Sequence, residues 1–298
     1  MVAMKTNQTS SGDSTYALGH VDTEIHRLLL QGRMHAEFTE HALRLAGLRS
    51  GMRVLDMGCG PGDVSFIAAR LVGPTGTVLG VDASADVIEV ARTRAAEQGV
   101  TTVRFAATVI ADVSLDEPVD AVIGRMILMH LPDPIAALRH LGAMVRPGGL
   151  VAFCEPDISG ARIVPDLPLW WAVKDAVDKV FEGAGSDPTF GAKLHTVFRR
   201  AGLAAPRLTL GAPLGAADDE DILTLVVETW RSMFLAAQRL GLVPDELADV
   251  DTLAQRLRNE AAGAEAIAIM PALICASTQV YTFGPFDAQS GSRTACDG

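Results

Sequence analysis

Between Met52 and Cys154 five short apolar runs alternate with helical patterns. Met52–Met57, Thr77–Val81, Val103–Ala107, Val119–Gly124 and Leu150–Cys154 are too short for helices and too apolar for surface loops, so they read as buried strands. Asp63–Val72 reads as a helix stopped at Gly73–Pro74. Ser84 or Asp86 can cap a helix running to about Gln98, with Gly99 as its stop. Pro134–Val145 carries Ile135, Leu138, Leu141 and Val145 on one stripe before "RPGG" ends it. Strands separated by crossover helices pair in parallel, so the expectation is an α/β fold with a doubly wound sheet.

After Glu155 the rhythm changes. Helices are expected near Leu169–Phe181, at Ala192–Ala201, Asp219–Leu240 and Pro244–Ala262, with strands at Pro206–Leu210 and Leu273–Phe283. The two strands bring the sheet to a mostly parallel seven. Upstream, Val21–Leu48 is helical on both sides of Gly32: Ile25, Leu28 and Leu29 form one apolar set, and Phe38, Ala42, Leu45 and Leu48 another. The expected organisation is one domain over residues 21–285, with a core at 52–156 and extra helices at about 21–48, 160–190 and 219–262. Extra packing would account for these helices. The functional reading is a lid over the carboxyl ends of the strands, where open α/β sheets bind ligands. Residues 1–20 and 286–298 are polar and are expected to be flexible segments.

Charge narrows the partners. The net charge is −11, and the only lysines are Lys5, Lys174, Lys179 and Lys193, with the arginines scattered. Nucleic-acid binding needs clustered cations, so it is not expected. The cysteines (Cys59, Cys154, Cys275, Cys296) show no C-x-x-C spacing, so neither a metal site nor a disulfide framework is expected. No apolar run reaches the roughly 18 residues of a membrane span, and the N-terminal stretch lacks the apolar core of a secretory signal. The expectation is a cytoplasmic protein with a small-molecule substrate and no membrane partner; a homodimer is left open.

The loop after the first strand, "VLDMGCGPGD", carries Gly58, Gly60 and Gly62. A dinucleotide loop wants G-x-G-x-x-G, but here the third glycine comes one place early. Asp56, two residues before Gly58, is expected to point its carboxylate toward the loop. A pyrophosphate there would be repelled by about 4 kcal/mol at 4 Å and an effective dielectric near 20, whereas a cation would be attracted. Asp82 ends the second strand, where an acid can accept from both ribose hydroxyls or cap the helix starting near Ser84.

"VLDMGCGPGD", "VLGVDAS", "DAVIGRMILMHLPDP" and "RPGGLVAFCEPD" together resemble the class I S-adenosylmethionine-dependent methyltransferases. The resemblance is to the small-molecule branch that includes ubiquinone/menaquinone-type and bacterial natural-product enzymes, and it covers about Met52–Pro156. It implies a Rossmann-like methyltransferase fold and S-adenosylmethionine as cofactor, with S-adenosylhomocysteine as product. It further implies that Asp56, Gly58, Cys59 and Gly60 line the methionine part and that Asp82 holds the ribose with Ala83 against the adenine. Arg125 and Met126 would flank the sulfur, with Tyr16 and Gln31 closing over the cofactor. The acid that the family places after the third strand, for the adenine amino group, is absent at Thr108–Val109. A backbone carbonyl near Val109 and Ile110, or Asp112, would have to serve.

The methyl donor is already activated, so a general base is needed only when the acceptor must lose a proton. His130, Glu155 and His20 are candidates; His130 could equally pack near the cofactor, and Glu155 could belong to a turn. Trp170, Trp171, Phe190, Trp230, Met233 and Phe234 are candidates for an apolar acceptor pocket, although residues at helical spacing often pack into a core. The expected function is methyl transfer to a small apolar or aromatic metabolite by in-line displacement. A cofactor-binding fold-alike with another activity, and an NAD-dependent oxidoreductase, are the rivals.

Overall fold

The computed structural model describes residues 21–280, with side chains from Glu24 onward. Two helices, α1 (Val21–Met34) and α2 (Ala36–Ala46), precede a doubly wound core. The core comprises β1 (Arg53–Met57), α3 (Asp63–Val72), β2 (Thr77–Asp82), α4 (Ala85–Glu97), β3 (Val103–Ala107), β4 (Val119–Arg125), α5 (Pro134–Ala143) and β5 (Val145–Asp157). Then follow β6 (Arg162–Val164), α6 (Pro168–Gly183), α7 (Phe190–Arg200), β7 (Arg207–Gly211), β8 (Leu214–Ala216), α8 (Glu220–Leu240), α9 (Leu253–Ala261), β9 (Ile267–Ile269) and β10 (Ala272–Gln279).

The main sheet has seven strands in the order β3-β2-β1-β4-β5-β10-β7. Only β10 runs antiparallel to its neighbours. Side chains alternate across the sheet, as a period of two requires. Val54 joins α2, α3 and α4 on one face through Leu43, Phe66 and Ile88. Leu55 joins α5 and α7 on the other through Leu138, Leu141 and Phe198. Burying each such side chain contributes about 2 kcal/mol.

A third apolar cluster lies apart from the sheet. Leu30 of α1, Ile163 of β6, Trp170 and Val180 of α6, Trp230 and Met233 of α8, Leu253 and Leu257 of α9 and Ala268 of β9 form it. These helices and the small sheet β6-β9-β8 make a separate helical layer. Among the described residues no helix is long and apolar enough to cross a membrane.

Several expectations change. The helix over Pro244–Ala262 is instead a short turn at Asp245–Leu247 followed by α9. Asp249 accepts from the Thr252 hydroxyl at 2.8 Å and from its N–H at 3.3 Å, which favours a turn over helix there. Among the described residues the second half holds five strands, not two: β6, β8 and β9 have three residues each, too few to show a period. The fifth strand runs on to Asp157. Beyond Cys154 its pairing with β4 ends and only β10 remains, a place where a strand tolerates Pro156.

Candidate active site

The carboxyl ends of β1, β2 and β4 converge below α1. Gly58, Gly60 and Gly62 all have positive φ (62°, 53° and 93°), which glycine adopts without cost. Their surroundings differ. A Cβ built on Gly58 would lie 2.6 Å from Ile127, and one on Gly62 would lie 3.0 Å from Phe105. A Cβ on Gly60 meets nothing within 4 Å, so Gly60 presents bare backbone to open space. Cys59 is buried between them, its N–H donating to Val81 O at 3.0 Å. Burial pushes its thiol up, so it stays protonated.

Asp82 ties this loop to the next. Its Oδ2 accepts from Gly60 N–H and its Oδ1 from Ser84 N–H, each at 3.0 Å. The helix cap is Ser84, whose Oγ accepts from Val87 N–H, so Asp82 is released from that task. Each of its oxygens retains a further lone pair. Ala83 is exposed beside it. Thr108 N–H donates to Asp82 O at 2.9 Å, which brings Val109 and the turn Ile110–Asp112 alongside.

Asp56 departs from expectation. It is fully buried, and its Oδ2 accepts from the Ser65 hydroxyl at 2.6 Å instead of reaching into the loop. Its Oδ1 has no partner. Burial pushes its pKa up to about 7, opposed by the Ser65 bond and by the Arg125 charge.

Arg125 and Glu155 are also corrected. Arg125 turns toward α2, donating to Thr39 Oγ1 at 3.0 Å. Beside it His35 is buried and held neutral, its pKa lowered to about 3 by desolvation and by that guanidinium. Glu155 is fully buried, with its carboxylate inside the turn after β4. Oε1 accepts from Ile127 and Leu128 N–H at 3.1 and 2.9 Å, and Oε2 from Met129 N–H at 3.4 Å. Burial raises its pKa to about 7 while these bonds lower it. A carboxylate committed to three backbone donors and closed to solvent does not take a proton from a substrate.

The remaining elements close the mouth. Met126 holds φ +55°, a conformation non-glycine residues rarely adopt. Its N–H donates to Cys154 O at 2.9 Å, and its sulfur accepts from Gln31 Nε2 of α1 at 3.0 Å. Gln31 in turn accepts from Arg27 Nη1, whose other nitrogens grip Glu24 at 2.7 and 2.9 Å. His130, at the end of the same turn, keeps an exposed edge although most of its surroundings are protein. Desolvation and the Arg27 charge lower its pKa, so its ring is neutral at pH 7. Arg27 was not anticipated; its signal was the Glu24, Arg27, Gln31 spacing of three and four residues on one helix face.

Tyr16 and His20 lie outside the described residues. The acceptor-pocket candidates divide. Trp170, Trp230 and Met233 are buried inside the helical layer, and Trp230 donates to Leu247 O at 3.1 Å. Phe190 is corrected more sharply: it packs against the sheet with Leu194 and Phe198, apart from the other five. Trp171 and Phe234 remain half-buried at the layer's margin, with Phe234 edge-on to Trp230 at 5.9 Å.

Known proteins resemble this chain. DauC, an aklanonic acid methyltransferase of Streptomyces sp. strain C5, is 35% identical over 138 residues, covering 44% of this chain and 61% of its own. A demethylmenaquinone methyltransferase of Staphylococcus aureus is 30% identical over 143 residues, covering 48% of this chain and 56% of its own. An uncharacterized protein in transposon TN4556 of Streptomyces fradiae is 32% identical over 161 residues, covering 53% and 45%. The chain spans about half the length of the curated relatives it matches. A putative methyltransferase structure from Bacillus halodurans aligns with a TM-score of 0.54 at 15% identity, over 82% of this chain and 99% of that one, which shows the shared fold. Residues 48–202, more than half of the sequence, match the family described as "Methyltransferase domain", and the chain belongs to that family.

Proposed function

We propose that this chain transfers a methyl group from S-adenosylmethionine to a small apolar or aromatic metabolite. The observation that carries this reading is the Asp82 carboxylate, bridged between Gly60 and Ser84 N–H beside the open backbone of Gly60. Two oxygens with lone pairs to spare suit the paired hydroxyls of a ribose, and a glycine without neighbours allows a ligand close approach. When ionised, above its pKa of about 7, buried Asp56 with its unpartnered Oδ1 adds a negative field behind the loop, which favours a cation and opposes a pyrophosphate. The residues present therefore fit S-adenosylmethionine. Family membership also counts against the oxidoreductase reading.

When bound, the cofactor supplies an already activated methyl group on a sulfonium. The protein's part is then orientation and exclusion of water. Gly58, Cys59 and Gly60 would shape the methionine side, and backbone groups of Val109 and Ile110 would hold the adenine. Gln31 and Met126 bring the helical layer down onto the strand ends, so that this layer acts as a lid. His130, neutral and with an exposed edge, accepts the proton of an acceptor hydroxyl. Trp171 and Phe234 offer apolar wall. Relatives named for aklanonic acid and demethylmenaquinone support a small-metabolite acceptor.

Calorimetry with S-adenosylmethionine, S-adenosylhomocysteine and NADH tests the reading, followed by incubation with methyl-labelled cofactor and a panel of hydroxylated aromatic metabolites. Binding of the first two without NADH, and label recovered in a product, are expected. Binding of NADH alone overturns the proposal. Cofactor binding with no label transferred to any metabolite would point to a fold-alike with another activity.

A further inference from the structure

The bonds of Glu155 raise a question of purpose. A carboxylate buried without a cation is costly, and it persists only where its hydrogen bonds are good. Here the carboxylate accepts from three consecutive backbone N–H groups of one turn, Ile127 to Met129. That turn begins directly after Met126, whose positive φ must be held by its surroundings. The first residue of the turn, Ile127, stands against Gly58, where even a Cβ would collide with its Cβ, Cγ1 and Cδ1 at 2.6–2.7 Å. β5 thus grips the turn twice, by Cys154 O on Met126 N–H and by the Glu155 carboxylate on the next three residues. The turn in turn buttresses the glycine loop.

We propose that Glu155 is a positioning residue: by holding the N–H groups of Ile127, Leu128 and Met129 it sets the Ile127 side chain against Gly58 and fixes the glycine loop in its ligand-binding shape. It acts through Ile127 and touches no substrate. The inference rests on the glycine loop being the cofactor site, as proposed above. β5 is itself backed closely by α7, where a Cβ on Gly191 would lie 2.6 Å from Glu155 O.

The test is a double-mutant cycle read by S-adenosylhomocysteine affinity at pH 8, with thermal unfolding of each variant measured in parallel. Glu155→Gln keeps one accepting oxygen and should weaken binding about tenfold, the scale of a lost charge-assisted bond. Glu155→Ala should weaken it further; if that variant does not fold, the Gln variant carries the test. Ile127→Ala should also weaken binding, and the double variant should be no weaker than the worse single, because both act through one contact. In Glu155→Gln the amide resonances of Gly58 and Gly60 should shift together with those of Ile127–Met129. An unchanged affinity in Glu155→Gln beside a lowered melting temperature would reduce Glu155 to a stabilising contact, and fully additive losses would break the route through Ile127. Either outcome overturns the proposal while leaving the cofactor reading intact. A wild-type chain that binds no S-adenosylhomocysteine sinks both.

Discussion

Asp82 and Asp56 are two carboxylates beside the glycine loop, and their environments differ. Asp82 is half-buried and bonded to two loops, so it acts by geometry. Asp82→Ala removes both tethers and should weaken S-adenosylhomocysteine binding by roughly 100-fold, measured by calorimetry. Asp56 is sealed, and under the proposed reading it acts by charge when ionised, above its pKa of about 7. With its folded pKa near 7, above the ordinary carboxylate value of 3.8, it favours the folded state most at low pH. That contribution is lost as pH rises through 7, and Glu155, raised to about 7, adds to it. Asp56→Asn should therefore raise the melting temperature at pH 8 and change it little at pH 5. The same substitution should weaken binding of the cationic S-adenosylmethionine more than that of uncharged-sulfur S-adenosylhomocysteine. Equal losses for both ligands would refute a charge role. The sequence marked both acids, but not which was sealed, because burial of Asp56 depends on Ser65 and Arg125 arriving from α3 and β4.

Elements were easier to read than the contacts between them. The core strands and helices fall close to their expected bounds, because a 2-to-3.6 switch in period is a property of each segment alone. Glu155 shows the limit: "CEPD" looks the same in sequence whether its acid meets substrate or three amides of another loop. The three-residue strands of the small sheet left no local trace either. Gly32 is similar. It sits inside α1, where glycine costs about 1 kcal/mol, and its reason is found in α3. A Cβ there would lie 2.5 Å from the Asp63 carboxyl, which Arg94 holds at 2.8 Å. Gly32→Val should lift α1 from α3, lowering stability by about 1–3 kcal/mol in urea titrations and weakening cofactor binding along with the Gln31–Met126 contact. An unaltered affinity would show that α1 does not need that seat.

At the scale of the molecule the helical layer has its own apolar core, separate from both faces of the sheet. It is fastened internally. α6 lacks a side-chain cap of its own, and Glu260 of α9 supplies one, accepting from Leu169 N–H at 2.9 and 3.1 Å. Glu260→Ala should cost about 1 kcal/mol. Hydrogen exchange should register that loss in amides of α6 and α9 while those of β1 and β4 keep their protection. Uniform loss across the sheet would mean that the layer and sheet open as one.

The place of β10 bears on how the chain is made. This strand, near the end of the described chain, lies between β5 and β7 and is the only described strand that pairs with β7. A ribosome delivers the amino-terminal half first, so the parallel strands through β5 can assemble while β10 is still inside the exit tunnel. Until it emerges, β5 presents the bare edge of Leu150–Asp157, whose first five residues are apolar and open to pairing with a neighbouring nascent chain. The insertion that builds the helical layer lengthens that wait, so translation speed through residues 214–271 sets how long the unfinished sheet is vulnerable to aggregation.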